Sequence, residues 1–276
     1  MLKDSSKEKN RESGIENREV IPSSQFPIHN STRKAGFGGP WRVIFTALSI
    51  FLFSQFIAVF LIEFILVLAR GAASGGSEIT NSVAAQFFYV LLAEGLAAGL
   101  AIWVVVKRRK LNLAAIGLGR RPQLRDGLRA LAGAGVFYVL LIAASVVLTI
   151  LAPNTDFNKD QNVGFNNLVS GLDQLIAFVS LVILPPLGEE ILIRGYLYSG
   201  LRSTMRFIPA MLLASGLFGL AHLWSGIDGS LLWAAGIDTF LLSLVLVFLR
   251  EKTGALYAGM LVHALNNIIA FSIHFR

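Results

Sequence analysis

The stretch WRVIFTALSIFLFSQFIAVFLIEFILVLA, residues 41–69, carries one arginine at its second position and one interior carboxylate, Glu63. A helix needs about 20 apolar residues to cross the hydrocarbon of a bilayer, and this run is longer. It is also far longer than the roughly 7 to 15 apolar residues of a secretory signal, so it is expected to remain as a membrane anchor. Six further segments come close to or exceed the spanning length, at about 84–106, 128–151, 174–202, 207–223, 231–249 and 254–274. No β-barrel alternation is visible between them. The reading is an all-α, polytopic membrane helix bundle of about seven transmembrane helices.

Composition agrees: 54% of the 276 residues are hydrophobic and 15% are charged, against about 25% charged in soluble domains. The mean hydropathy is +0.65. Cysteine is absent, which removes disulfides, thiolate nucleophiles and thiolate zinc sites. The net charge of +7 does not point to nucleic acid, because the cations sit in short connections between apolar runs, where basic residues hold loops in the cytoplasm. Arg33, Lys34 and Arg42 precede the first run. Lys107 to Lys110, Arg120, Arg121 and Arg125 lie between the second and third. Arg202 and Arg206 follow the fourth, and Arg250 and Lys252 the sixth. The intervening loops are poor in cations, so the N-terminus is expected inside and the C-terminus outside. Residues 1–40 are polar, mixed in charge and without periodicity, the composition of a disordered cytoplasmic tail. No internal repeat is evident, which weakens a transporter reading.

Ionisable groups in membrane helices cost about 2.5 to 3.5 kcal/mol each on insertion scales and need a partner, a hydrated cavity or a function. The fourth run has several. It is apolar from Leu175 to Leu184, is expected to break at Pro185-Pro186, and continues into Gly188-Glu189-Glu190 and Arg194. Glu190 and Arg194 are one turn apart and suited to pair. Glu189 lies about 100° around the helix and is left for another task; beside a break it would also feel a helix N-terminus. His222 follows Phe218 by four residues on the fifth run, and Asn267 follows His263 by four on the seventh. Asn266 is out of phase with His263. Three helices thus offer groups to one hydrated cavity, where Glu189 and His222 could activate a water for attack on an amide carbonyl. His263 and Asn267 could donate hydrogen bonds to the oxyanion. Phe218 reads as packing, and Glu63, Glu94 and Asp238 read as satisfied polar groups of the bundle.

The patterns Glu189-Glu190-Ile191-Leu192-Ile193-Arg194 (EExxxR), Phe218 to His222 (FxxxH) and His263 to Asn267 (HxxxN), in that order, resemble the CPBP family of intramembrane glutamic endopeptidases. That family includes CAAX proteases and bacteriocin-processing or bacteriocin-immunity proteins. The similarity covers about 107–274, which would be the protease core of a bundle spanning 41–276. The resemblance implies catalytic or supporting roles for Glu189, Glu190, Arg194, His222, His263 and Asn267. It implies Glu189 and His222 as the activators of water, Glu190 and Arg194 as their support, and His263 with Asn267 as the oxyanion site. With Glu190 taken by Arg194 and no HExxH spacing, metal-independent hydrolysis with no cofactor is preferred, and the resemblance implies a multi-pass protein of the cell membrane. Its partners would be the lipid bilayer and a protein or peptide substrate, lipidated or embedded in the membrane, with no nucleic acid. Two other readings stay open. One is a zinc protease built on the same His/Glu cluster, although no HExxH spacing is present. The other is a non-enzymatic scaffold or immunity protein.

Overall fold

The computed structural model describes residues 36–70, 82–152, 163–223 and 231–275. The expected tail, up to residue 35, and the outer loops around Glu78, Lys159 and Asp228 lie outside the described residues. Within them the fold is all-α, with seven helices. Helix α1 is Pro40–Arg70. Helix α2 is Val83–Trp103, continued by a π-helical turn Val104–Arg108. Helix α3 is Leu124–Leu151, and α4 is the composite Gly171–Thr204. Helix α5 is Phe207–Ala221, α6 is Trp233–Thr253 and α7 is Tyr257–His274.

Five of them, α1 to α4 and α6, are long and apolar enough to cross a membrane. The protein is multi-pass. Helices satisfy every backbone group within the segment, which hydrocarbon requires. The 15 residues of α5 reach only about 22 Å at 1.5 Å per residue, less than the hydrocarbon thickness. The lower apolarity of α7 comes from His263, Asn266, Asn267 and His274.

Helix α1 packs on α2, α2 on α4, α5 on α6, and α3 on both α6 and α7. The outer face of α1 presents Phe53, Phe56, Phe60 and Phe64, with Phe56, Phe60 and Phe64 stacked at 6.3 and 6.1 Å between successive rings. This is an apolar surface suited to lipid. Inside, Phe37, just before α1, is fully buried and meets Tyr196 with ring centroids 6.0 Å apart.

The basic end of the bundle is locked by buried polar groups. Asn112 caps a short 3₁₀ turn, Leu113–Ile116, which Gly117 ends at φ +85°. A Cβ at Gly117 would fall 2.9 Å from the Arg250 guanidinium, so the turn needs glycine for both backbone and space. Arg250 donates to the Ala115 carbonyl and to Ser199 Oγ, each at 3.1 Å. Next to it, Glu251 accepts from Tyr198 Oη at 2.5 Å and from Arg202 Nε at 3.1 Å. Arg202 and Arg250, which the sequence marks as loop cations, are therefore buried structural groups as well. Helix α3 begins on a capping box of Gln123 and Asp126, with Asp126 held by both terminal nitrogens of Arg120 at 2.5 and 2.7 Å.

Candidate functional site

Helix α4 supplies the carboxylates. The expected break at Pro185-Pro186 does not occur: α4 stays helical by changing its winding. An α-helical start, Gly171–Phe178, passes into a π-helical stretch Val179–Ile183, then an α-helical turn Leu184–Glu189 with the prolines at its start. It passes again into a π-helical stretch, Glu190–Tyr198, and ends as Ser199–Thr204. Such bulges commonly sit at functional sites. Glu189 is therefore in the interior of a long helix and not at a helix N-terminus.

The prolines still leave a mark. In α- or π-helical bonding the Leu181 carbonyl would take its hydrogen bond from residue 185 or 186, and both are prolines without an N–H. Asn267 of α7 supplies the missing donor, with Nδ2 2.9 Å from Leu181 O. One of its two amide hydrogens is used in this way.

Glu190 and Arg194 form the expected pair, Oε1 to Nη1 at 2.9 Å, with both side chains almost wholly buried. The Arg194 guanidinium carbon also lies 4.4 Å from the Phe218 ring centroid, a cation–π contact. His263 bridges the two glutamates: Nδ1 is 3.3 Å from Glu190 Oε1, and Nε2 is 3.7 Å from Glu189 Oε2. The two carboxylates differ in access, since the side chain of Glu189 is 23% exposed and that of Glu190 1%.

His222 is the C-cap of α5. Its Nδ1 lies 2.9 Å from the Phe218 carbonyl. A carbonyl only accepts, so Nδ1 carries the hydrogen and Nε2 of the neutral ring is the basic nitrogen. Phe218 sits edge-on to both histidines, at 4.8 Å from His222 and 6.3 Å from His263. It is thus a wall of the site and the platform for Arg194.

Two cavities adjoin here. One of about 460 Å³ lies among α4, α5, α6 and α7, with Glu189, His222, Asp238, His263, Asn266 and Asn267 on its walls. The other, about 390 Å³, opens among α1, α2, α4 and α5 and is lined by Gln55, Tyr89, Glu94, Glu189, Phe218 and His222. Glu189, His222 and Phe218 belong to both. All six sequence-derived residues come together; Glu189, His222, His263 and Asn267 line a cavity, while Glu190 and Arg194 lie behind them.

Three residues prove closer to the site than their sequence suggests. Glu94 lies against Gly188, where any Cβ would overlap its side chain, and so stands beside Glu189. Asp238 shares the larger cavity with both histidines. Asn266 does too, and accepts from Tyr138 Oη at 3.0 Å. The only signal in sequence was their cost in a membrane helix, which does not say what they face. Among the described residues no three His, Asp or Glu side chains form a set that could hold a metal.

A family model described as type II CAAX prenyl endopeptidase, Rce1-like, matches residues 171–269. No curated protein and no solved structure matches the chain.

Proposed function

We propose, from the match of residues 171–269, which hold every candidate catalytic group, to the Rce1-like family of CAAX prenyl endopeptidases, that the chain is an intramembrane glutamic endopeptidase. Its substrate is a protein or peptide segment, lipidated or embedded in the bilayer, and its location is the cell membrane. The observation that carries this reading is that Glu189 and His222 line both cavities, so a chain passing from one to the other must run by them.

Hydrolysis then uses a water held between the Glu189 carboxylate and His222 Nε2. Glu189 takes its proton as the oxygen bonds to the scissile carbonyl carbon. The carbonyl π electrons move to oxygen, and the oxyanion accepts hydrogen bonds from the second amide hydrogen of Asn267 and from Nε2–H of His263, whose Nδ1–H faces Glu190, so the ring donates in its doubly protonated form. The C–N bond breaks as the proton held by Glu189 passes to the leaving amine, so no covalent acyl-enzyme forms. The pairing of Glu190 with Arg194 keeps that cation from neutralising Glu189, and His263 fixes the spacing of the two carboxylates. The metal-independent form of the reaction is favoured by the engagement of His263 with the two glutamates, which leaves it poorly placed to join His222 on one ion.

The test is a comparison of peptide termini in membrane proteomes from cells producing wild-type or Glu189→Gln protein. A precursor that accumulates uncleaved only with the variant is expected; identical termini would contradict the reading. Stoichiometric zinc in the purified active protein would overturn the metal-independent form.

A further inference from the structure

Away from the site, a third cavity of about 560 Å³ lies between α3 and α6, open to the outside of the bundle. Its walls are apolar along their length and end in two cations, Arg129 on α3 and Lys252 on α6. The helices supply the shape. On α3 the floor is Ala132 and Gly133, and a Cβ on Gly133 would come 2.9 Å from Leu249 Cδ1. On either side stand Leu140 and Phe248, 39% and 46% exposed. A strip of small residues between larger ones leaves a trench that side chains of this protein do not fill.

Its length and polarity identify the occupant. From Arg129 to Leu140 is about 16 Å at 1.5 Å per residue, close to one leaflet of a hydrocarbon core about 30 Å thick. Both cations are at the end where the Lys- and Arg-rich connections gather, the cytoplasmic end by the distribution of basic residues. Asp126, the nearest carboxylate in sequence to Arg129, is hydrogen-bonded on both oxygens by Arg120 and lies within electrostatic reach of Arg129 as well. Lys252 lies 5.5 Å from the Phe248 ring centroid, at the edge of the trench. An apolar slot one leaflet deep with cations at its cytoplasmic mouth complements a lipid with a negative headgroup.

We infer that the trench between α3 and α6 is a binding site for an anionic glycerophospholipid of the cytoplasmic leaflet, with an acyl chain along Gly133 and Leu140 and the phosphate between Arg129 and Lys252. The site is separate from the catalytic cavities and does not depend on their chemistry.

The test uses the full chain in detergent with equal amounts of phosphatidylglycerol and phosphatidylcholine carrying the same acyl chains, read by native mass spectrometry. Wild type is expected to retain the anionic lipid in preference. The Arg129→Gln/Lys252→Gln double variant should lower that preference roughly thirtyfold, as loss of two headgroup charges implies, with an unchanged melting temperature. Arg121→Gln/Arg125→Gln, in the neighbouring basic connection and the first turn of α3, should leave it intact. Ala132→Trp, which fills the trench from an exposed position, should reduce bound lipid whatever its headgroup. Equal retention of both lipids by wild type would overturn the inference. So would an equal fall in the Arg121→Gln/Arg125→Gln variant, or displacement of the lipid by inorganic phosphate.

Discussion

Glu189 and Glu190 are neighbours in sequence with different surroundings, and substitution should separate them. Glu190 lies in a buried ion pair with Arg194 and touches His263. Glu190→Gln removes a charge and leaves Arg194 unpaired, a change that costs about 3 to 5 kcal/mol at buried pairs; a lower melting temperature and a smaller folded fraction are expected. Among the described residues the salt-bridge partner of Glu189 is His263, so Glu189→Gln should melt like wild type while peptide cleavage falls by about 10² to 10⁴, the usual contribution of a general base. Asn267→Ala should do both. It removes the donor that satisfies Leu181 O, at about 1 to 3 kcal/mol, and takes away an oxyanion donor worth roughly 10² to 10³ in rate. Thermal melts beside cleavage assays distinguish these three patterns. The Glu190–Arg194 pair was legible because i,i+4 spacing is local, and the phase of His263 with Asn267 equally so. What the spacing did not contain was that Asn267 reaches across to α4, or that Glu94 faces Gly188, since both contacts depend on how separate helices dock.

At the scale of elements, α4 departs most from its sequence expectation. Two adjacent prolines predict a break because each lacks a donor and crowds the preceding turn. The chain keeps its helix by π-helical winding before the prolines and again after Glu189, and α7 repays the lost hydrogen bond. Hydrophobic periodicity cannot signal this in a segment that is apolar on most faces. Pro185→Ala restores an N–H able to compete for the Leu181 carbonyl. It should free Asn267 from that contact and lower the cleavage rate while leaving the folded yield unchanged or higher. An unchanged rate with wild-type yield would show that the Asn267 contact does not position the site. In the same element, Gly188→Leu forces a side chain into Glu94 and should part α2 from α4, read as loss of folded protein in detergent. The short α5 belongs to this scale as well. By ending at His222, it leaves the imidazole beside the cavity instead of within a continued turn.

Over the whole molecule, composition and the long apolar runs were enough for a multi-pass helical bundle, and seven helices are found near the seven expected segments. Positive charge between helices reads as a topology signal, but Arg202 and Arg250 are also buried in the lock joining α4, α6 and the Gly117 turn. Net charge and loop position carry no information on such burial. Arg250→Met should therefore destabilise the fold by about 1 to 3 kcal/mol, through the unsatisfied Ala115 carbonyl and Ser199 hydroxyl, with topology retained. A melting curve together with accessibility mapping of the loops checks both parts. The lock, the docking of α2 on Gly188 and the crossing of α7 over the prolines hold the end of α5, the middle of α4 and α7, and two cavities around one carboxylate. The most direct test of that arrangement is cleavage, by purified protein in proteoliposomes containing a strong chelator, of the precursor that accumulates with the Glu189→Gln variant. Wild type should cleave it, and Glu189→Gln of equal melting temperature should be slower by at least about 10². Cleavage by the variant at the wild-type rate would contradict Glu189 as the base that activates water.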